Sequence, residues 1–292
     1  MDNILDVINL RKEYQDFTLN NITFHLPRGF IMGFIGPNGA GKSTTIKLIM
    51  NLLRKDGGAI KVFGLDHIQQ EVEIKQKIGF VYDENYYYED LNPVEMKRII
   101  APFYRDWNEQ KFINYLQQFD INPKKKIKDL SKGMKMKFSL AVALSHQAEL
   151  IIMDEPTSGL DPVFRNEILE ILADLLLDER KGVLFSTHVT SDLDKIADYI
   201  TFINKGEIIF SQPKEDIFDN YAVVKGAKEV IDKDLHKEFI GLRINDYGFA
   251  GLTNNIQRIR SLFDQEIIIE KATLEDIMLY MVRGNKHAQP YL

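Results

Sequence analysis

Along residues 4–35 apolar and polar positions alternate with a period of two: Ile22, Phe24 and Leu26 are separated by Thr23 and His25. A period of two places one set of side chains on one sheet face, so ILDVI and NITFHL read as half-buried strands, and an antiparallel β subdomain is expected at the start of the chain. The pattern then changes. FIMGFI is apolar throughout, the mark of a strand covered on both faces, and it runs through a glycine-rich turn into KSTTIKLIMNLL, where Ile46, Ile49 and Leu53 recur at helical spacing. Residues 93–120 and 129–147 read as helices, the second with Met134, Phe138, Ala141 and Val142 along one face. ELIIMDEP and GVLFSTH are short apolar runs on either side of EILEILADLLL, the pattern of a parallel βαβ unit.

After Lys205-Gly206 the pattern weakens. A glycine-containing stretch, GLRINDYGFAGL, leads to a strand at EIIIE, and a Thr273–Asp276 capping box opens a last amphipathic helix. The expected division is therefore an α/β domain over 1–214, with a helical subdomain at about 85–148, and a small α+β appendage over 215–292. Composition agrees with an ordinary folded chain: 292 residues, 45% hydrophobic and 27% charged. The formal charge of -6 argues against a general polyanion binder, so the lysines at 124–126, 128, 132, 135 and 137 must act locally if they act at all. Of a nucleic-acid patch, a solvated helix face and part of a phosphate site, a solvated face is the simplest reading for Lys135, Lys137 and the 124–128 cluster, and Lys132 stays open between a phosphate site and water. With no cysteine there is neither a disulfide framework nor a thiolate metal site. No apolar run approaches the roughly 18 residues that span a bilayer, so the chain is expected to stay on one side of a membrane.

GPNGAGKST, residues 36–44, fits the P-loop pattern in full and lies between an expected strand and an expected helix. In such a loop the backbone N–H groups of Gly36, Asn38, Gly39, Ala40 and Gly41 turn inward around a phosphate, with Pro37 in the same turn, and the next helix presents its positive end. Lys42 reaches the β and γ oxygens, the Ser43 hydroxyl ligates Mg²⁺, and Thr44 continues the cradle. In LIIMDEP, four apolar residues precede two carboxylates. Asp154 at the strand end can hold the magnesium shell, and Glu155 points elsewhere as a candidate general base for the attacking water. These elements define a P-loop NTPase and leave kinase, motor, helicase and transport ATPase open.

Four further elements in fixed order narrow the choice: LSKGM at 130–134, then LIIMDEP, SGLDP at 158–162, and His188 in FSTHV. The chain resembles the ATP-binding-cassette (ABC) ATPases over roughly residues 4–213. The resemblance implies that Tyr14 stacks on adenine and that Ser131 and Gly133 contact the γ-phosphate of ATP held by a second subunit. It also implies that Asp161 links the two ATP sites and that His188 contacts the γ-phosphate and the catalytic carboxylate. Ser131 reads equally as a helix N-cap, and both roles are compatible. Lys132 and Met134 replace the family's first glycine and its glutamine. Asp83 stands where the family carries a glutamine that serves metal and lytic water; aspartate is shorter and, when ionised, only accepts.

The implied function is the ATP-binding and ATP-hydrolysing subunit of a bacterial ABC transporter at the cytoplasmic face of the membrane. It would use Mg²⁺, close head-to-tail with a second ATPase subunit, and drive a separate transmembrane subunit; no nucleic acid is expected. Local features resemble exporter ATPases such as those of phenol-soluble modulin peptides. The rival class is a soluble ABC ATPase acting in DNA repair or on ribosomes.

Overall fold

The computed structural model describes residues 2–82, 86–231, 235–262 and 267–283. The chain divides into two compact units, Met1–Ser211 and Gln212–Leu292.

In the first unit the period-two alternation becomes β1 (Asn3–Glu13) and β2 (Thr18–Pro27), paired antiparallel with Val7 opposite Phe24 and Leu10 opposite Ile22. After a turn at Arg28 and Gly29 the chain enters β3 (Ile31–Ile35), buried along its whole length. The glycine loop delivers it to α1 (Lys42–Ile49). Then β4 (Gly57–Val62) and β5 (Leu65–Asp66) complete an antiparallel sheet of order β2-β1-β4-β5. Next come α2 (Glu71–Gln76) and β6 (Ile78–Val81).

Beyond β6 lie α3 (Pro93–Ile100), α4 (Glu109–Gln118) and α5 (Lys132–Leu144). The helix expected over 93–120 is thus two helices. Pro102 has no N–H to continue the ladder, a 3-10 turn spans Ala101–Phe103, and Asn108 restarts the helix by accepting from the Lys111 N–H at 2.9 Å.

The βαβ pattern is realised as β7 (Leu150–Asp154), α6 (Pro162–Leu175) and β8 (Gly182–Thr187), with β7 and β8 parallel neighbours and Asp154 opposite Ser186. Then follow α7 (Thr190–Ile196), β9 (Tyr199–Asn204) and β10 (Glu207–Pro213). The second sheet has the order β10-β9-β3-β8-β7-β6, parallel across β9, β3, β8, β7 and β6. In such a sheet the carboxyl ends of neighbouring strands open onto one crevice. Those of β3, β8 and β7 lie side by side. One hydrophobic cluster, with Phe24, Ile60, Phe34, Leu48, Ile152 and Leu184, ties the two sheets together.

The second unit carries α8 (Lys214–Asn220), β11 (Ala222–Gly226), β12 (Gly241–Asn245), β13 (Gly248–Thr253), α9 (Ile256–Leu262), β14 (Ile267–Lys271) and α10 (Leu274–Arg283). Its strands form an antiparallel sheet of order β12-β13-β11-β14. The GLRINDYGFAGL stretch is a β-hairpin, Asn245 opposite Gly248. The capping box forms, with the Asp276 N–H donating to Thr273 Oγ1 at 3.1 Å and the Thr273 N–H to Asp276 Oδ2 at 3.0 Å.

Candidate functional site

The P-loop leaves β3 at Gly36, where a Cβ would lie 2.2 Å from the Ile203 carbonyl oxygen, so only glycine lets the loop pass β9. It ends at Gly41, whose φ of +113° is left-handed and whose Cβ would stand 2.7 Å from the Leu19 side chain. The chain then enters α1 with Lys42 buried, its ammonium donating to the Gly36 carbonyl oxygen at 2.8 Å.

Parallel pairing of β7 with β8 does the rest of the local work. Ser186 Oγ donates to Asp154 Oδ1 at 2.6 Å and accepts from the Glu155 N–H at 3.0 Å. The Glu155 N–H also reaches the Ser186 carbonyl oxygen at 3.1 Å, and Glu155 takes a left-handed φ of +47°, rare outside glycine and sustained only where the surroundings hold it. Two successive carboxylates are thereby sent to different places. Asp154 is buried against β8. Glu155 sets one oxygen 3.2 Å from Lys42 Nζ and the other 2.8 Å from His188 Nδ1. Because a carboxylate accepts, His188 carries its proton on Nδ1.

Asn38, Lys42, Ser43, Thr44, Glu155 and His188 line one cleft of about 720 Å³. Backbone N–H groups at a helix start, a buried ammonium and a hydroxyl can bind a polyphosphate; a carboxylate between Lys42 and His188 can take a proton from water there. Phe17 also lines this cleft. Tyr14 stands next to it, ring centroids 6.4 Å apart, with its N–H donating to the Phe17 carbonyl at 2.8 Å. Asp83 lies outside the described residues; Tyr82, just before it, has its hydroxyl pKa raised by burial, by Tyr86 and by the charge of Asp154.

Ser158 of SGLDP also lines that cleft, whereas Ser131, Gly133 and Asp161 do not. Ser131 N-caps α5, accepting from the Met134 N–H at 3.2 Å, and Asp161 N-caps α6, accepting from the Val163 and Phe164 N–H groups at 3.0 and 3.2 Å. Gly133 has a packing role: a Cβ would meet the Phe164 ring at 2.8 Å. The lysines separate. Lys128 pairs with Asp90 and Lys135 with Glu89, whereas Lys137 is buried, paired with Glu167 and 4.9 Å from the Phe164 ring centroid. The expectation of a solvated face therefore fails at Lys137, because α5 turns that side chain onto α6. Lys132 brings its ammonium to Gly159 of the same chain, 3.2 Å from where a Cβ would stand.

The sequence reading passed over Ser186, Thr157 and Asp192. Their signal is polarity at buried positions: Ser186 and Thr187 end an otherwise apolar strand, and all of these side chains are buried.

Comparison with known proteins agrees with this geometry. Residues 19–158 match the ABC transporter family model. The linearmycin resistance ATP-binding protein LnrL of Bacillus subtilis is 35% identical, covering 73% of this chain and 70% of that protein. The lantibiotic transport ATP-binding protein SrtF of Streptococcus pyogenes is 32% identical over 74% of this chain and 96% of its own length. A solved ATP-binding subunit of an ABC transporter superposes with a TM-score of 0.68 at 28% identity, covering 74% of this chain and 92% of that one. The chain belongs to the ABC transporter ATP-binding family, and is an ATPase subunit of that bacterial type.

Proposed function

We infer that the chain hydrolyses MgATP as one half of a head-to-tail pair and thereby drives export through a separate transmembrane subunit. The observation that carries this reading is the single carboxylate of Glu155 shared between Lys42 at 3.2 Å and His188 at 2.8 Å at the edge of the phosphate loop. Glu155 is the general base, a role worth roughly 10²–10⁴ in rate. His188 orients it and contacts the γ-phosphate. Lys42 and the loop from Gly36 to Thr44 hold the phosphates, and Tyr14 supplies the adenine face. Ser131, Gly133 and Asp161 complete the site of the second subunit.

Mg²⁺ fits the donor set. Ser43 and Asp154 offer hard oxygen atoms, and Ser186 already holds one Asp154 oxygen, leaving the other available. No group of three or more His, Cys, Asp or Glu able to hold a metal occurs among the described residues. That suits an ion that takes one or two carboxylates and fills its shell with phosphate oxygens and water. Ser43 and Asp154, with Asp83 as third candidate, would hold it. When bound it supplies positive charge against the β and γ oxygens.

Relatives named for lantibiotic transport and linearmycin resistance support export, with an amphipathic peptide as cargo. Among the described residues no helix is long and apolar enough to cross a membrane. Translocation then falls to the transmembrane subunit, which holds this chain at the cytoplasmic face of the membrane. A groove of about 300 Å³ lined by Tyr82, Tyr86, Tyr87 and Tyr104, with Tyr86 exposed at 67%, supports docking of a cytoplasmic helix there.

If ATP closes the pair and hydrolysis reopens it, Glu155→Gln with MgATP elutes as a dimer and Ser131→Ala in that background returns it to monomer. A monomeric Glu155→Gln protein at saturating MgATP refutes the head-to-tail reading. Purification from detergent-solubilised membranes is expected to recover a multi-span protein; ribosomes or nucleic acid instead would favour the soluble class.

A further inference from the structure

Two residues after Glu155 and four after His188 stand buried polar groups that do not line the cleft. Thr157, fully buried on the loop after β7, donates its hydroxyl to Asp192 Oδ2 at 2.7 Å. Asp192 sits in the first turn of α7 and is 1% exposed. Its other oxygen, Oδ1, is buried without a hydrogen bond. Facing that oxygen at 3.9 Å is Nε of Arg165 on α6, also buried and without a hydrogen-bond partner. Buried polar groups of complementary charge are ordinarily joined. Here the pair stops about 1 Å short of a charge-assisted hydrogen bond, whose usual length is about 2.8 Å.

The position of this carboxylate gives it leverage. Three segments meet at it: the loop that begins with Glu155, α6, which Asp161 caps, and α7, which begins two residues after His188. Lys195 Nζ, donating to Asn166 Oδ1 at 2.7 Å, ties α7 to α6 a second time. Glu155 holds a left-handed φ, a conformation that persists only where the surroundings over-determine it. Upstream the hold is Ser186; downstream it is Thr157 on Asp192.

We propose that Asp192 is a positioning residue for hydrolysis. Through Thr157 it fixes the course of the chain from Glu155 to Asp161 and so keeps the Glu155 carboxylate on His188. Through Arg165 it makes that hold responsive to α6: a shift of about 1 Å joins Arg165 to Oδ1 and transmits movement at the Asp161 end to the Glu155 loop. The inference rests on Glu155 acting as the base, as set out above. Asp192 itself touches neither nucleotide nor water.

The test uses the full chain and steady-state hydrolysis, with single-turnover measurements on slow variants and fluorescent ATP to read binding. Thr157→Val keeps the shape and loses the hydroxyl; kcat is expected to fall about tenfold or more while the KM and the affinity for fluorescent ATP stay within about twofold, since misplacing a catalytic group costs turnover before binding. Thr157→Ser, which restores the donor, is expected to recover kcat to within about twofold of the parent. Asp192→Asn still accepts from Thr157 but lacks the charge facing Arg165, and is expected to lower kcat about threefold even if Thr157→Val folds poorly. In a Glu155→Gln background, Thr157→Val should change the residual turnover by less than about twofold, because both act through one carboxylate. A parental kcat in Thr157→Val, or an equal loss in both backgrounds, overturns the positioning role. Undiminished hydrolysis by Glu155→Gln overturns the base assignment, and with it the route by which Asp192 acts.

Discussion

Lys42 Nζ lies 3.2 Å from Glu155 Oε1, although 113 positions separate the two residues along the chain. Both are largely shielded, their side chains 6% and 14% exposed, so water screens the pair less than it would an ion pair on the surface. Because the ammonium is anchored by the Gly36 carbonyl as well, it is presented toward the loop rather than folded away.

Lys42→Ala therefore removes a cation already held in place, with no reorganisation to compensate. Hydrogen bonds to charged groups contribute about 1.5–3 kcal/mol, so the Kd for MgATP should rise at least about tenfold. Titration with a fluorescent ATP analogue reads this directly, and an unchanged Kd would contradict the role of the phosphate loop.

Ser186→Ala takes the donor from buried Asp154 Oδ1 and an acceptor from the Glu155 N–H in one step. Leaving a buried oxygen unpaired costs about 1–3 kcal/mol. Urea unfolding of the chain should show a loss of that size, and turnover should fall more than nucleotide affinity does. An equally stable variant would mean that Asp154 finds another donor.

Gly133→Ala separates packing from contact with a second subunit. Its Cβ would approach the Phe164 ring to 2.8 Å, and overpacking of this kind costs about 1–3 kcal/mol. Phe164→Leu in the same chain should recover a good part of it. If calorimetry finds Gly133→Ala as stable as the parent, the requirement for glycine lies outside the chain.

Burial lowers the pKa of His146 to about 4, while its Nδ1 donates to the Gln76 carbonyl and its ring stacks on Tyr104 with centroids 3.8 Å apart. Between about pH 6.5 and 4 the unfolded chain binds a proton that the folded chain refuses, so this group makes stability rise with pH across that window. The full effect is up to about 3 kcal/mol at the acid end. His146→Asn keeps an N–H donor without the titration, so its urea midpoint should depend less steeply on pH between 6.5 and 4.5; parallel profiles would remove His146 as a source of acid sensitivity.

Much of this molecule is written in short-range patterns. The alternation at Ile22, Phe24 and Leu26, the apolar runs of β3, β7 and β8, the glycine loop and the Thr273 cap all act within a few residues, so each is readable without knowing what lies across from it. For the same reason the order of motifs along the chain identified the ATPase type before any geometry was available. Parallel registry is another matter. That Asp154 lies opposite Ser186, 32 positions away, depends on how two strands align once the helix between them has packed, and neither segment encodes that number alone.

The same holds wherever one element turns a side chain onto another. Lys137 reads as a surface charge until α5 meets Phe164 and Glu167 of α6, and the packing of Gly133 against the Phe164 ring shows only once those two helices are set together. The sequence by itself determined the phosphate loop, the two carboxylates and the parallel α/β architecture, because local periodicity and turn chemistry suffice for them. The resemblance to a known family already implied that His188 meets the Glu155 carboxylate; only the tertiary structure decided that Lys42 shares it and that Thr157 on Asp192 steadies it from behind, because those contacts join segments that meet only when three strand ends and two helices are packed together.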